Sequence, residues 1–158
     1  MRRIEAEDPG RHLVGLGDRL KSKARWPTPR PEEGRDSRGP RRPGGRSRPG
    51  EDALTGPLAR ASLEAVRFDT AVIGCCGLGA AQGLTAYDLD DADDADVKRA
   101  AIASARRFIA VAEGSKLTRT VLAFVAPASA LHVLITDTSA PDEEIRAISA
   151  AGVAVAQV

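Results

Sequence analysis

The residues best suited to chemistry are few. The stretch "GCCGLGAAQGLT" (74–85) sets Cys75 and Cys76 side by side among glycines, directly after the apolar segment "FDTAVI". Structural zinc needs four ligands, usually in Cys-x-x-Cys pairs or with histidines, and the remaining candidates are His12 and His132, the second inside an expected strand. Adjacent cysteines match neither a thioredoxin-type pair nor a thiolate with a nearby base, so small buried residues at a strand end are the plainer reading. Gly74, Gly77, Gly79 and Gly83 let a backbone turn sharply or approach a ligand, but fit no dinucleotide or P-loop fingerprint.

Two lysines stand close to this pattern, Lys98 in "DVKRA" and Lys116 in "EGSK". Either could meet a phosphate as a mobile point charge; read alone, each is more readily an exposed solubilising charge. Asp94 belongs to the run "DLDDADDAD", which could offer carboxylates to sugar hydroxyls or form a solvated helix start.

These residues need a frame. Residues 1–50 carry 14 Lys/Arg against 7 Asp/Glu, and residues 51–158 carry 9 against 15. The chain thus divides into a basic Pro/Gly/Arg-rich segment, 1–50, expected to be disordered, and an acidic, apolar-rich domain, 51–158. The basic segment reads as a solvated tail or a phosphate-touching arm; Arg, Pro, Gly and Ala also dominate a GC-rich gene translated in a wrong frame. Aromatics make up 3% of the chain, too few for stacking on nucleic-acid bases. Neighbouring cysteines cannot build a disulfide framework, and neither a signal peptide nor a run long enough for a membrane span is visible, so the cytoplasm is expected.

From Leu54 onward, apolar segments alternate with helical ones. Helices are expected at 56–66, with Leu58, Ser62 and Ala65 on one side; at 89–107, closed by Arg106 and Arg107 against the helix dipole; and at 139–152, opened by Ser139 and closed by Gly152. The second carries Val97, Ala101, Ala105 and Phe108 as its stripe. Strands are expected at 68–75, 108–113 and 131–137, with a closing "VAVAQV". They show no polar alternation, which implies a parallel sheet covered on both faces. Its ligand crevice would lie beyond the C-terminal strand ends, where "GCCGLG", "EGSK" and "TD" fall.

Taken in order, "ALTGPLA", "FDTAVIGCCGL", "GLTAYDLDD", "VKRA", "SK", "VAP" and "LITD" resemble the C-terminal sensor domain of DeoR/GlpR-type transcriptional regulators, over about Gly44 to Val158. The resemblance implies a fold like ribose-5-phosphate isomerase and glucosamine-6-phosphate deaminase, here a partial α/β parallel-sheet domain. It implies the effector-sensing part of a repressor of sugar or nucleoside catabolism, which binds a phosphorylated sugar without catalysis and without a cofactor or metal. By this resemblance Gly77 lies in the glycine turn facing the ligand, Lys98 and Lys116 are the family's lysines, and Asp94 stands near the acid before the first. The family often has aspartate where Glu113 stands.

No helix-turn-helix pattern or Thr/Ser-rich phosphate loop precedes this domain, so DNA is expected as an indirect partner only. The resemblance implies a homo-oligomer or association with full-length family members, and a sheet lacking its first strands should expose an edge. The alternatives are an interaction-only or non-functional remnant and a sugar-phosphate isomerase or deaminase; the latter requires a general base at the crevice, which neither histidine supplies.

Overall fold

The structure is a computed structural model; it describes residues 13–16 as backbone, and residues 44–47, 53–86 and 92–158. Ten strands and three helices are described: β1 (Leu13–Leu16), β2 (Arg46–Ser47), β3 (Leu54–Thr55), α1 (Pro57–Glu64), β4 (Phe68–Gly74), β5 (Gly77–Gly79), β6 (Gly83–Ala86), α2 (Ala92–Ser104), β7 (Ala105–Val111), β8 (Ala123–Ala126), β9 (Val133–Thr136), α3 (Asp142–Ala150) and β10 (Ala154–Gln157). The architecture is α/β around a parallel five-stranded sheet, ordered β1-β4-β7-β9-β10.

The apolar pattern of β4 and β7 drives the longest pairing. Phe68 stands opposite Ala105, and the register runs unbroken from Thr70↔Arg107 to Gly74↔Val111. This pairing corrects the expected helix end. Residues 105–107 leave the helix because β4 begins at Phe68 and offers its backbone groups to them. Arg106 and Arg107 are therefore exposed strand residues, and Ala105 and Phe108 are not on a helical stripe. Phe108 still reaches the core, through the strand.

Side chains alternate across a strand. Ala71, Ile73, Phe108, Ala110 and Leu134 share one face, and form a single cluster with Ala59 and Leu63 of α1, Val97 and Ala101 of α2, and Ile148 of α3. All three helices thus cover one side of the sheet. In α1, Ala59 and Leu63 are buried while Leu58 is 65% exposed, so the expected stripe is rotated. Pro57, after Gly56 at φ +94°, fixes how the helix enters. Gly152, at φ +91°, closes α3 as expected, whereas Ser139 is not its cap: α3 begins after Pro141.

The other face departs from the expectation of burial on both sides. Val72, Ile109, Val111 and Ile135 are half-buried, and neither they nor Val133 belong to the helix-side cluster or pack against it. Strand order supplies the reason. Each crossover advances in the same direction across the sheet, and right-handed crossovers stepping one way lay their helices on one side.

A second departure is at the sheet edge. Leu13–Leu16 pairs in parallel with Thr70–Ile73, so β4 is not an edge strand. "LVGL" is apolar enough to form a strand inside the segment expected to be a solvated arm, as do Arg46 and Ser47 opposite Leu54 and Thr55. The rest of that segment lies outside the described residues, as does His12.

Sequence pattern also missed the small antiparallel sheet β5-β6-β8. "VLAFVA", bounded by a polar "TRT" and by Pro127, carried a strand signal, and its last four residues form β8.

Phe108 is the largest fully buried side chain. Replacing it with alanine is expected to cost about 3–5 kcal/mol in urea unfolding, far more than the Leu58→Ala change at the surface.

Candidate functional site

β4 and β7 are neighbours, so the chain leaves their C-terminal ends side by side. From Gly74 it passes through Cys75 and Cys76 into the β5–β6 hairpin. From Val111 it passes through Ala112 and Glu113 into a single 3-10 turn, Gly114–Lys116. The two excursions meet again at a parallel bridge between Leu78 and Leu117, where the Thr118 N–H donates to the Leu78 carbonyl at 2.9 Å. This register sets Lys116 beside Gly77.

Gly77 is required by packing. A Cβ there would run into the Arg119 carbonyl oxygen and lie 2.7 Å from Thr85 Oγ1. The glycine pattern therefore builds a strand and a hairpin; the turn proper is at Ala80–Gln82. The Ala80 N–H donates to Glu144 Oε1 of α3 at 2.5 Å, fastening the hairpin tip.

The loop carrying Lys116 is held at its other end by Asp137, one residue past β9. The Gly114 N–H donates to Asp137 Oδ2 at 3.1 Å, and the Ser139 N–H to Oδ1 at 2.8 Å. The Ser139 hydroxyl and these amides hold the Asp137 carboxyl below the usual carboxylate range. Gly114 is buried against the backbone of Ser139 and Ala140, and a Cβ would collide with it. Thr118 closes the loop at φ +71°, a left-handed conformation a β-branched residue adopts only when its surroundings enforce it. Among the described residues, the half-buried Lys116 is hydrogen-bonded through its backbone alone, its N–H donating to the Glu113 carbonyl at 2.9 Å, and its ammonium group has no hydrogen-bond or ion-pair partner.

Asp94 and Lys98 form the other pair. Lys98 Nζ lies 2.7 Å from Asp94 Oδ2, one turn apart on α2, with side chains 3% and 17% exposed. Lys98 is thus not the solubilising surface charge its sequence context allows. α2 leads straight into β7, so its C-terminus is at the start of that strand. At about 1.5 Å per residue, Asp94 stands about 15 Å and Lys98 about 9 Å back toward the other end of the sheet. The side chain of Lys98 leans toward the helix N-terminus, and hence toward the edge where Gly77 and Lys116 stand.

Thr136 went unnoticed in the sequence. It follows Leu134 on the helix-side face and shares the last row there with Ala112 and Cys75, and all three are buried. Its hydroxyl is the one buried side-chain polar atom without a partner among the described residues. Both cysteines are buried and neither forms a disulfide. No cluster of three or more His, Cys, Asp or Glu occurs among the described residues. His132 lies at the opposite end of the sheet, just before β9, where its Nδ1 accepts the Phe108 N–H at 3.1 Å.

Two outcomes follow. The lowered folded-state pKa of Asp137 means its contribution is fully present above the ordinary carboxylate range and is lost as pH falls through the lowered value. Asp137→Ala should flatten the acid limb of a stability-against-pH curve measured by urea melts. Thr136→Val, nearly isosteric, should raise stability by about 1 kcal/mol in the same melts, because it removes an unpartnered hydroxyl.

A search of curated proteins finds no match to this chain. A scan of family models matches residues 42–138 to the DeoR C-terminal sensor domain. The match spans α1, the glycine hairpin, both lysines and the β9 end with its Asp137 clamp. No helix among the described residues is long and apolar enough to cross a membrane. With most of its length covered by that one model, and with the α/β sheet such a domain requires, the chain belongs to the DeoR C-terminal sensor-domain family and is the effector-sensing part of a DeoR-type regulator.

Proposed function

We propose that this domain senses a phosphorylated sugar, and that the ligand occupies the C-terminal edge of the parallel sheet between the Lys116 loop and the N-terminal half of α2. One observation carries the reading: a half-buried ammonium without a protein partner is held on a loop fastened by Asp137 at one side and Leu78 at the other. An anion there would gain a charge-assisted hydrogen bond without ordering the loop at its own expense. The buried Lys98–Asp94 pair offers a second cation with a carboxylate beside it, a combination suited to a phosphate next to sugar hydroxyls. Gly77 supplies bare backbone alongside, and the Thr136 hydroxyl is available to a ligand at the same edge.

The domain acts by binding and not by turnover. A sugar-phosphate isomerase needs a base within reach of a carbon-bound proton, and His132 is committed to a backbone amide at the far end of the sheet. In a repressor of sugar catabolism, working in the cytoplasm, the bound state would reach DNA through the arrangement of subunits. The ligand must then favour one arrangement over another.

Calorimetric titration with a panel of pentose and hexose phosphates, their parent sugars and inorganic phosphate tests this. One phosphorylated sugar should give saturable heat where its parent sugar gives none. Lys116→Ala should weaken it by about tenfold or more. The double change Lys98→Met with Asp94→Leu should abolish binding while leaving the fold intact, since a buried ion pair replaced as a whole by apolar side chains is often tolerated, whereas removing one partner strands the other charge. Absence of saturable heat across the panel, or catalytic conversion of any member, would reject the reading.

A further inference from the structure

A buried hydroxyl lowers stability unless another group bonds to it. Thr136 is 2% exposed, and its Oγ1 has no hydrogen-bond partner among the described residues. It lies on the helix side of β9, in the row Cys75, Ala112, Thr136 that follows the C-terminal ends of β4, β7 and β9. The Ala112 N–H donates to the Ile135 carbonyl at 3.0 Å and fixes that row. The flanking residues do not serve the hydroxyl. Ala112 has no polar side-chain atom, and Gln157, opposite Thr136 on β10, is exposed and makes no bond to it. Valine would take nearly the same shape without the hydroxyl, so packing does not account for threonine here.

Charge and hydroxyl are separated along this edge. α2, which carries Asp94 and Lys98, packs on β4 and β7, and the Lys116 loop leaves the end of β7. Thr136 stands one strand further, about 4.8 Å across the row from Ala112. The β5–β6 hairpin spans the same edge on the helix side. It starts from Cys75 beyond β4, and its tip is bonded at Ala80 to Glu144 in the first turn of α3. A ligand whose anionic group met Lys116 and Lys98 would lay its other end beneath that hairpin, toward Thr136.

We propose that Thr136 is the specificity-determining residue of this site: its hydroxyl pairs with one hydroxyl of the sugar and distinguishes that sugar from the analogue deoxygenated at the same carbon. The inference rests on the reading of this edge as a sugar-phosphate site, and adds to it the group that selects the sugar. A threonine hydroxyl can donate and accept, as a sugar hydroxyl can, so the pair forms in either direction. The fold already bears the cost of burying Oγ1, and a bond made on binding recovers it. A deoxy analogue would leave that hydroxyl as it stands in the fold, and sites of this kind reject such analogues far more strongly than an apolar pocket rejects one methylene. Stability and binding should therefore move in opposite directions when the hydroxyl is removed.

Calorimetric titration of the full chain, of Thr136→Val and of Thr136→Ser tests this, using the panel of pentose and hexose phosphates with the monodeoxy analogues of each. Urea melts run beside it. The unaltered chain should bind one sugar phosphate about tenfold or more tighter than one of its monodeoxy analogues. Thr136→Val should weaken the parent compound to within about twofold of that analogue, leave the analogue's own affinity unchanged, and raise the urea midpoint. Thr136→Ser, which keeps the hydroxyl, should keep the preference. A preference that survives Thr136→Val, or one lost equally in Thr136→Ser, overturns the assignment of Thr136 while leaving the sugar-phosphate reading in place. An unaltered chain that binds a sugar phosphate and all its monodeoxy analogues alike does the same. Absence of saturable heat with every member overturns both.

Discussion

The pairing of β4 with β7 is the constraint from which the rest follows. Two parallel strands about 4.8 Å apart must release their chains at adjacent points, so whatever each chain does next it does beside the other. Three residues separate Gly74 from Leu78, and five separate Val111 from Leu117, yet Leu78 and Leu117 come back into register. The 3-10 turn takes up the difference, and Lys116 ends it. The position of that lysine is thus a consequence of strand pairing and of a close backbone approach at Gly114, where the chain has no room for a side chain.

The two lysines illustrate opposite electrostatic arrangements on one domain. Lys98 is buried against a carboxylate on its own helix, which offsets part of the cost of desolvating both groups. Lys116 keeps partial exposure, and its ammonium group has no protein partner among the described residues. A ligand arriving between them would meet one charge held in place and one able to reorient within its loop. Such a division suits recognition of an anion whose neighbouring hydroxyls also need fixed acceptors.

Much of this was legible in the residues. β4, β9, β10 and the core of β7 announced themselves as short apolar runs between helical segments, and Gly152 marked the end of α3 through its left-handed backbone. Order of motifs pointed to Lys98, Lys116 and Gly77, although spacing alone could not tell a buried lysine from a solvated one. What escaped depended on partners distant in sequence. Residues 105–107 have helical neighbours and a fitting arginine pair, but a strand thirty-seven residues earlier decides their conformation. The Asp137 clamp likewise joins positions twenty-three residues apart, through a backbone amide that has no signature in the sequence. Uniform apolar texture, taken as burial on both faces, could not reveal that sequential strand order puts every helix on one side.

That strand order also governs assembly of the chain. β4, β7, β9 and β10 are each the next strand of the sheet to emerge, so their pairings close shorter stretches, of 17 to 30 residues. β1 must reach β4 across about fifty residues, at an entropic cost near 3.5 kcal/mol beyond a fixed term, for only four residues of ladder. β1 is accordingly the last strand to dock and the first to fray. When it leaves, β4, one of the two longest strands described, shows a bare ladder to any other chain nearby, and aggregation during refolding should start there.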